Sequence, residues 1–265
     1  MTTPAVPTPG PARVPAQQAA AQLLRTYEPV VAKLLERTGT SPAQFLAQVA
    51  NACRANPQLW ECDHATLLGA VLRSAQLDLA PNTTANLAWI IPRKRGAVLE
   101  ATWQLGYGGV LELARRAVPG ITFEGRPVYP GDLFVVEYGT APKFKHVPHS
   151  ARRRPRGGDA EAWYVLATYP DGHQYAEVID REEAERHRSY SQRSEGDLWA
   201  KSYDAAALKS AVINMRRWLP HSRQLGAALA SDGTVIDVRS MEDADDLDEA
   251  DTDEPAQLEQ PEPEP

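Results

Sequence analysis

Cysteine is nearly absent from this 265-residue chain, which has only Cys53 and Cys62. Two thiols cannot build a disulfide framework, so each is expected to be a small buried hydrophobe in a reducing compartment. No apolar stretch approaches the roughly 18 residues that a membrane span needs. The N-terminal MTTPAVPTPGPARVP has neither the basic start nor the apolar centre of a secretory signal. A cytoplasmic protein without membrane attachment is expected. The chain has no Gly-Lys dipeptide, hence no Walker A loop, and neither GxSxG nor HExxH. Cys53, Cys62 and His64 lack paired CxxC spacing, and His146 with His149 is an isolated pair around Pro148, so no metal site or other cofactor is expected. The centre of the chain also lacks the compact acidic cluster of a two-metal nuclease, although acids from separate strands could converge.

The formal charge of −7 hides an asymmetry. The 24 residues from Glu242 onward carry 12 acids and no base, so residues 1–241 hold 28 bases against 23 acids, a net of +5. A basic body with an acidic appendage suggests a polyanion-binding surface. Residues 1–15 contain five prolines and the chain ends QPEPEP; both termini are expected to be disordered. The expected organisation is a disordered segment over 1–15, a folded unit over 16–238 and an acidic tail over 239–265.

Within that unit, apolar residues at helical intervals predict helices over Ala16–Arg37, interrupted near Pro29, from Ser41-Pro42 through Cys53, and over His64–Leu77. Leu87–Ile91 and Val98–Leu105 read as strands joined at Arg93-Lys94-Arg95-Gly96. A helix over Val110–Ala117 follows, then strands at Thr122–Val128, Leu133–Tyr138, Ala162–Tyr169 and Gln174–Val178. Helices are predicted again at Asp180–Tyr190 and Leu198–Leu219, the latter ended by Pro220, with a short one through about Ala230. The fold class is α+β, a small antiparallel sheet with a hairpin flanked by helices.

Four constellations could carry chemistry. Arg93, Lys94 and Arg95 cluster at the hairpin tip between Trp89 on one side and Trp103 and Tyr107 on the other. Cations hold phosphates and aromatic rings stack bases, which suits a sequence-tolerant single-strand binder; the alternative is a solvated turn with core tryptophans. In the predicted helix Leu198–Leu219, Lys209 and Arg216 fall within about 20° of each other, beside Arg217, with Leu208, Ala211, Met215, Trp218 and Leu219 on another side. That pattern reads either as a basic stripe for DNA or as an ordinary amphipathic helix. Gly106-Tyr107-Gly108-Gly109 opens a helix after a strand, where N–H groups can receive a phosphate, or where a helix packs closely on a strand. Finally, Lys143, Lys145, Arg152, Arg153, Arg154 and Arg156, with His146, form a run read as a mobile basic loop, either capturing nucleic acid or merely solvated.

Three segments together resemble the RecT branch of phage-type single-strand annealing proteins: LLGAVLRSAQLDLAPNTTANLAWIIP at 67–92, WQLGYGGVLELARRA at 103–117 and LWAKSYDAAALKSAVINMRRWLP at 198–220. Their order and separation also match the family, over roughly residues 25–230. The resemblance implies an ATP-independent DNA-annealing factor of homologous recombination rather than an enzyme, which assembles into rings or helical filaments. It implies single-stranded DNA and a complementary strand as ligands, and a phage exonuclease and a host single-strand-binding protein as partners. Mg²⁺ would be at most a modulator. Carried onto this sequence, the groove candidates are Arg93, Lys94, Arg95, Tyr107, Arg115, Arg116, Lys209, Arg216 and Arg217. Trp103, Lys143, Lys145 and Lys201 complete the DNA-binding candidates. In one departure, Ile213 and Asn214 stand where the family often has a basic pair in the late helix. The competing expectations are a single-strand-binding protein that does not anneal and, behind it, a phage metal-dependent nuclease.

Overall fold

Helical periodicity over the first 80 residues becomes five helices: α1 (Ala16–Thr26), α2 (Glu28–Leu35), α3 (Pro42–Ala55), α4 (Gln58–Glu61) and α5 (His64–Gln76). These belong to a computed structural model that describes residues 16–36, 38–140, 142–149, 160–190, 197–220 and 222–240. The expectations for residues 1–15, for the arginines at 152–156 and for the acidic residues from Glu242 onward lie outside the described residues. Local chemistry sets the helix starts. The Ser41 hydroxyl accepts from the Gln44 N–H at 3.5 Å with Pro42 in the first turn, and the Asp63 carboxylate accepts from Ala65 and Thr66, satisfying amides that have no partner inside the helix.

The strands divide among three small antiparallel sheets. The first is β1 (Ala88–Arg95), β2 (Val98–Leu105) and β8 (Thr234–Val235), with β2 central. The β1–β2 hairpin turns at Gly96-Ala97, with Gly96 at φ +60°, the left-handed backbone that a two-residue hairpin loop requires. Helix α5 covers one face of this sheet: the Ala101 N–H donates to the Thr66 hydroxyl at 3.0 Å and the Trp103 indole to Ser74 at 2.9 Å. Cys53 and Cys62 are free thiols in the surrounding core, where burial pushes Cys53 up to about 12.

The second sheet has the order β3 (Thr122–Val128), β6 (Ala162–Thr168), β7 (Gln174–Asp180). Alternation along β6 gives it two buried faces. Trp163, Val165 and Ala167 join the main core, whereas Tyr164 and Leu166 form a smaller cluster with Val128, Phe134 and Phe144. The first face packs on α9 (Tyr203–Met215), whose Asp204 accepts from Trp163 Nε1 and the Tyr129 hydroxyl at 2.9 and 3.0 Å. The second is covered by the third sheet, a two-stranded arm of β4 (Leu133–Glu137) and β5 (Lys143–Val147). The stretch from Lys143 to Val147, expected as part of a mobile loop, is therefore a strand, because Phe144 and His146 alternate inward onto Tyr164.

Helix α6 (Tyr107–Ala117) joins the first two sheets, and α7 (Arg181–Tyr190), α8 (Asp197–Lys201) and α10 (Arg223–Ser231) complete the α-helices among the described residues. The late helix expected over Leu198–Leu219 is broken at Ser202, whose backbone (φ −152°, ψ 73°) is not helical, and α9 ends at Met215, five residues before Pro220. None of the described helices is long and apolar enough to cross a membrane.

Candidate nucleic-acid interface

The register of β1–β2 decides what the hairpin presents. Trp103 pairs with Ile90 and both point into the core, Trp103 fully buried. The expectation that Trp103 stacks on a base is overturned: its faces are packed and its N–H is held by Ser74. Trp89 points the other way, half-buried, and alternation puts Ile91, Arg93 and Arg95 on that same outer face. The three cations sit on the outer end of β1 and not in the turn, and all are exposed. Arg95, 79% exposed, lies 3.8 Å from Glu100, a weak surface pair. Among the described residues Arg93 and Lys94 have no hydrogen-bond or ion-pair partner.

The glycine turn before α6 does structural work. The Gly106 and Gly108 N–H groups donate to the Leu87 and Asn86 carbonyls at 3.0 and 3.1 Å. A Cβ on Gly106, Gly108 or Gly109 would collide with the carbonyls of Asn86, Ala85 and Leu87 respectively. Close packing is thus the reason for these glycines, and the Gly106 and Gly108 N–H groups are taken. Tyr107 is half-buried and its hydroxyl accepts from Asn86 at 3.3 Å. Arg115 is exposed and lies over the Phe123 ring, 5.4 Å from its centroid. Arg116 is committed: it donates to the carbonyls of Leu77 and Asp78 at 2.8 and 3.1 Å, closing the end of α5, and pairs with Glu112 at 3.0 Å.

The late segment differs most from the expected basic stripe. α9 is buried on several sides, with Ala206, Ala207, Ser210, Ala211, Val212, Asn214 and Met215 inside. Lys201 and Lys209 are exposed. Arg216, the C-cap, keeps helical backbone and donates its N–H to the Val212 carbonyl at 3.1 Å, so it follows Lys209 by two turns on the same side, but its guanidinium is committed to Asp232 at 2.7 Å. The other oxygen of Asp232 accepts from the Leu105 N–H, so this pair ties the turn to β2. Arg217 is exposed, its Nε donating to the Asn214 carbonyl. Asn214 is buried and donates to Glu183 at 2.8 Å, so the position lacking the family's basic residue has a structural use here. Trp218, expected on the apolar side, is 62% exposed.

Lys143 and Lys145 project outward from β5; Lys143 pairs with Glu137 at 2.8 Å, and Lys145 is exposed. The arm is fastened beneath them by Asp132, which accepts from the Tyr129 and His149 N–H groups and from His146. Burial opposes ionisation of Asp132, but those bonds outweigh it and hold the carboxyl down at about 2. The second sheet separates these lysines from Lys209, since arm and α9 cover opposite faces. The fold therefore puts Arg93 and Arg95 on the face of Trp89, with Lys94 beside them on the other face of the strand, joins Arg216 and Arg217 in a second place, and leaves Lys143 and Lys145 in a third. Sequence reasoning missed the exposure of Trp218; its position two residues before Pro220, where a helix is already unwinding, was the available signal.

The RecT family model matches residues 43–252. The chain is 27% identical over 180 residues to Protein RecT of Escherichia coli strain K12, covering 66% of this chain and 65% of that protein. It is 23% identical over 201 residues to Uncharacterized protein YqaK of Bacillus subtilis strain 168, covering 75% of this chain and 67% of that protein. The match to the E. coli protein thus spans just under two thirds of that protein's length.

Proposed function

The chain belongs to the RecT family, and from that premise we propose that it binds single-stranded DNA and anneals it to a complementary strand, in homologous recombination, without hydrolysing a nucleotide. The observation that carries this reading is the outer end of the β1–β2 hairpin, where exposed Arg93, Lys94 and Arg95 share a strand with Trp89. Lys209, Arg115 and Arg217, also exposed, extend the phosphate-contacting set, with Lys201, Lys143 and Lys145 as outlying members.

The mechanism is charge compensation. Two DNA strands repel each other, so a row of subunits that neutralises one backbone lowers the cost of bringing up the second. Watson–Crick pairing then supplies energy and selectivity, and no catalytic acid, base or metal enters. The function is that of an annealing factor, not an enzyme, acting in the cytoplasm as a ring or helical filament. A phage exonuclease supplies its single strands and a host single-strand-binding protein hands them over.

The test mixes complementary oligonucleotides carrying a fluorophore and a quencher with the protein, without nucleotide, across a salt series. Quenching faster than the spontaneous rate, weakening with salt and with Arg93→Ala/Lys94→Ala/Arg95→Ala, is the expected result. Tight binding with unchanged or slower quenching would leave a strand-protecting protein and overturn annealing.

A further inference from the structure

Trp218 is one of the most exposed large side chains among the described residues, at 62%. Its ring lies 6.5 Å from that of Tyr175 on β7, at an interplanar angle of 41°. We propose that Tyr175 and Trp218 form a platform on which nucleobases of a single strand stack, separate from the cations of the hairpin. The proposal rests on the single-strand-binding reading above.

Four features favour this occupant. The turn that presents Trp218 is pinned on every side: Arg216 to Asp232 at 2.7 Å, the Trp218 N–H to the Met215 carbonyl at 2.9 Å, and buried Leu219 in the core. An exposed indole on a fixed backbone loses less conformational entropy when a ligand arrives than one on a loose loop. The partner is also aromatic. The Tyr175 hydroxyl is already spent on Glu177 at 2.9 Å, so its ring is what remains to offer. The local charge is mixed and not cationic, because Arg217 and Glu183 act on Glu177 in opposite directions. An aromatic surface without an excess of cations favours base faces, which every nucleotide has, over phosphates. Finally, Asp232 ties this turn to the Leu105 end of β2, placing the platform at the seam between the hairpin sheet and β7.

The test compares wild type with Trp218→Ala and Trp218→Phe in binding to an oligo(dT) strand and to an abasic strand of equal length, over a salt series. Expected for Trp218→Ala is a roughly 5- to 150-fold weaker affinity for oligo(dT), no change for the abasic strand, an unchanged salt slope, and substantial recovery in Trp218→Phe. Equal weakening on both strands, or no weakening, overturns the platform while leaving single-strand binding intact. Sedimentation without DNA adds a second arm. A change in assembly mass in Trp218→Ala with unaltered affinity per subunit would make the patch a contact between copies of this chain, and also overturns the proposal. Failure of the wild type to bind oligo(dT) would instead sink the single-strand-binding reading itself.

Discussion

The outer end of the β1–β2 hairpin and the ends of α6 and α9 are both rich in cations, and they use them in opposite ways. On the hairpin, Arg93 and Lys94 are exposed without a partner among the described residues, and Arg95 has only a 3.8 Å pairing with Glu100. At the helix ends, Arg116 spans the carbonyls of Leu77 and Asp78 and the Glu112 carboxylate, and Arg216 holds Asp232. A cation that satisfies backbone carbonyls or a half-buried carboxylate contributes to stability; one left in solvent contributes little to the fold and is available to a polyanion. Proximity in sequence to a DNA-binding motif does not distinguish the two. The partner does.

The division can be broken by substitutions that should move stability and affinity separately. The largest effect is expected from Gly106→Ala on the helix-end side: its Cβ would meet the Asn86 carbonyl, which belongs to backbone and cannot swing aside. A loss of about 3 kcal/mol should lower the thermal midpoint by roughly 6–12 °C, read by circular dichroism. A midpoint within a degree of wild type would mean that the turn has room, and would reopen it as a phosphate site.

Next comes the hairpin itself. Arg93→Ala/Lys94→Ala/Arg95→Ala should reduce the slope of log affinity against log salt for single-stranded DNA by about 2, at about 0.7 per phosphate contact. Its denaturant midpoint should stay near wild type, since surface changes of this kind cost within about 0.5 kcal/mol. Arg116→Ala is the mirror image. It strips partners from the Leu77 and Asp78 carbonyls and should destabilise by about 1–3 kcal/mol with the salt slope unmoved. A fallen slope would show that Arg116 also meets phosphate.

The smallest effect at neutral pH concerns the β4–β5 arm, which carries Lys143 and Lys145. Asp132 titrates at about 2 in the folded state against 3.8 as its ordinary value. A carboxyl with a depressed folded value adds stability above the unfolded value and loses it as pH falls through the folded one. The arm should therefore hold unchanged from neutrality to about pH 5 and loosen between 3.8 and 2. Hydrogen exchange of β5 amides against pH would record this, and Asp132→Asn should flatten the dependence.

Much of the fold is legible from neighbouring residues. Ser41 and Pro42 announce a helix start, and alternation from Leu87 to Leu105 announces the hairpin. The cationic hairpin end is a feature that this reading located, displaced by a few residues: the turn lies at Gly96-Ala97, so the cations sit on the strand. The faces were not legible. Trp89 and Trp103 flank the same turn, yet which one is buried depends on which side of the sheet α5 covers. The late helix misled for a related reason. Periodicity from Leu198 to Leu219 is continuous on paper, but the helix is interrupted at Ser202 and ends at Met215, the Arg216 guanidinium is spent on Asp232, and Trp218 falls outside the cylinder.

Composition and short-range chemistry were thus enough for the α+β class, the basic body with its acidic tail, most helix ends and a cationic hairpin. These depend on residues a few positions apart, whose interactions persist wherever the segment is placed. Tertiary structure alone decided which cations are spent and which tryptophans are exposed. Arg116 reaches 39 residues back to Leu77, Trp103 reaches 29 back to Ser74 and Arg216 reaches 16 forward to Asp232. A buried donor or carboxylate must find a partner, and no local pattern records where in the chain that partner comes from.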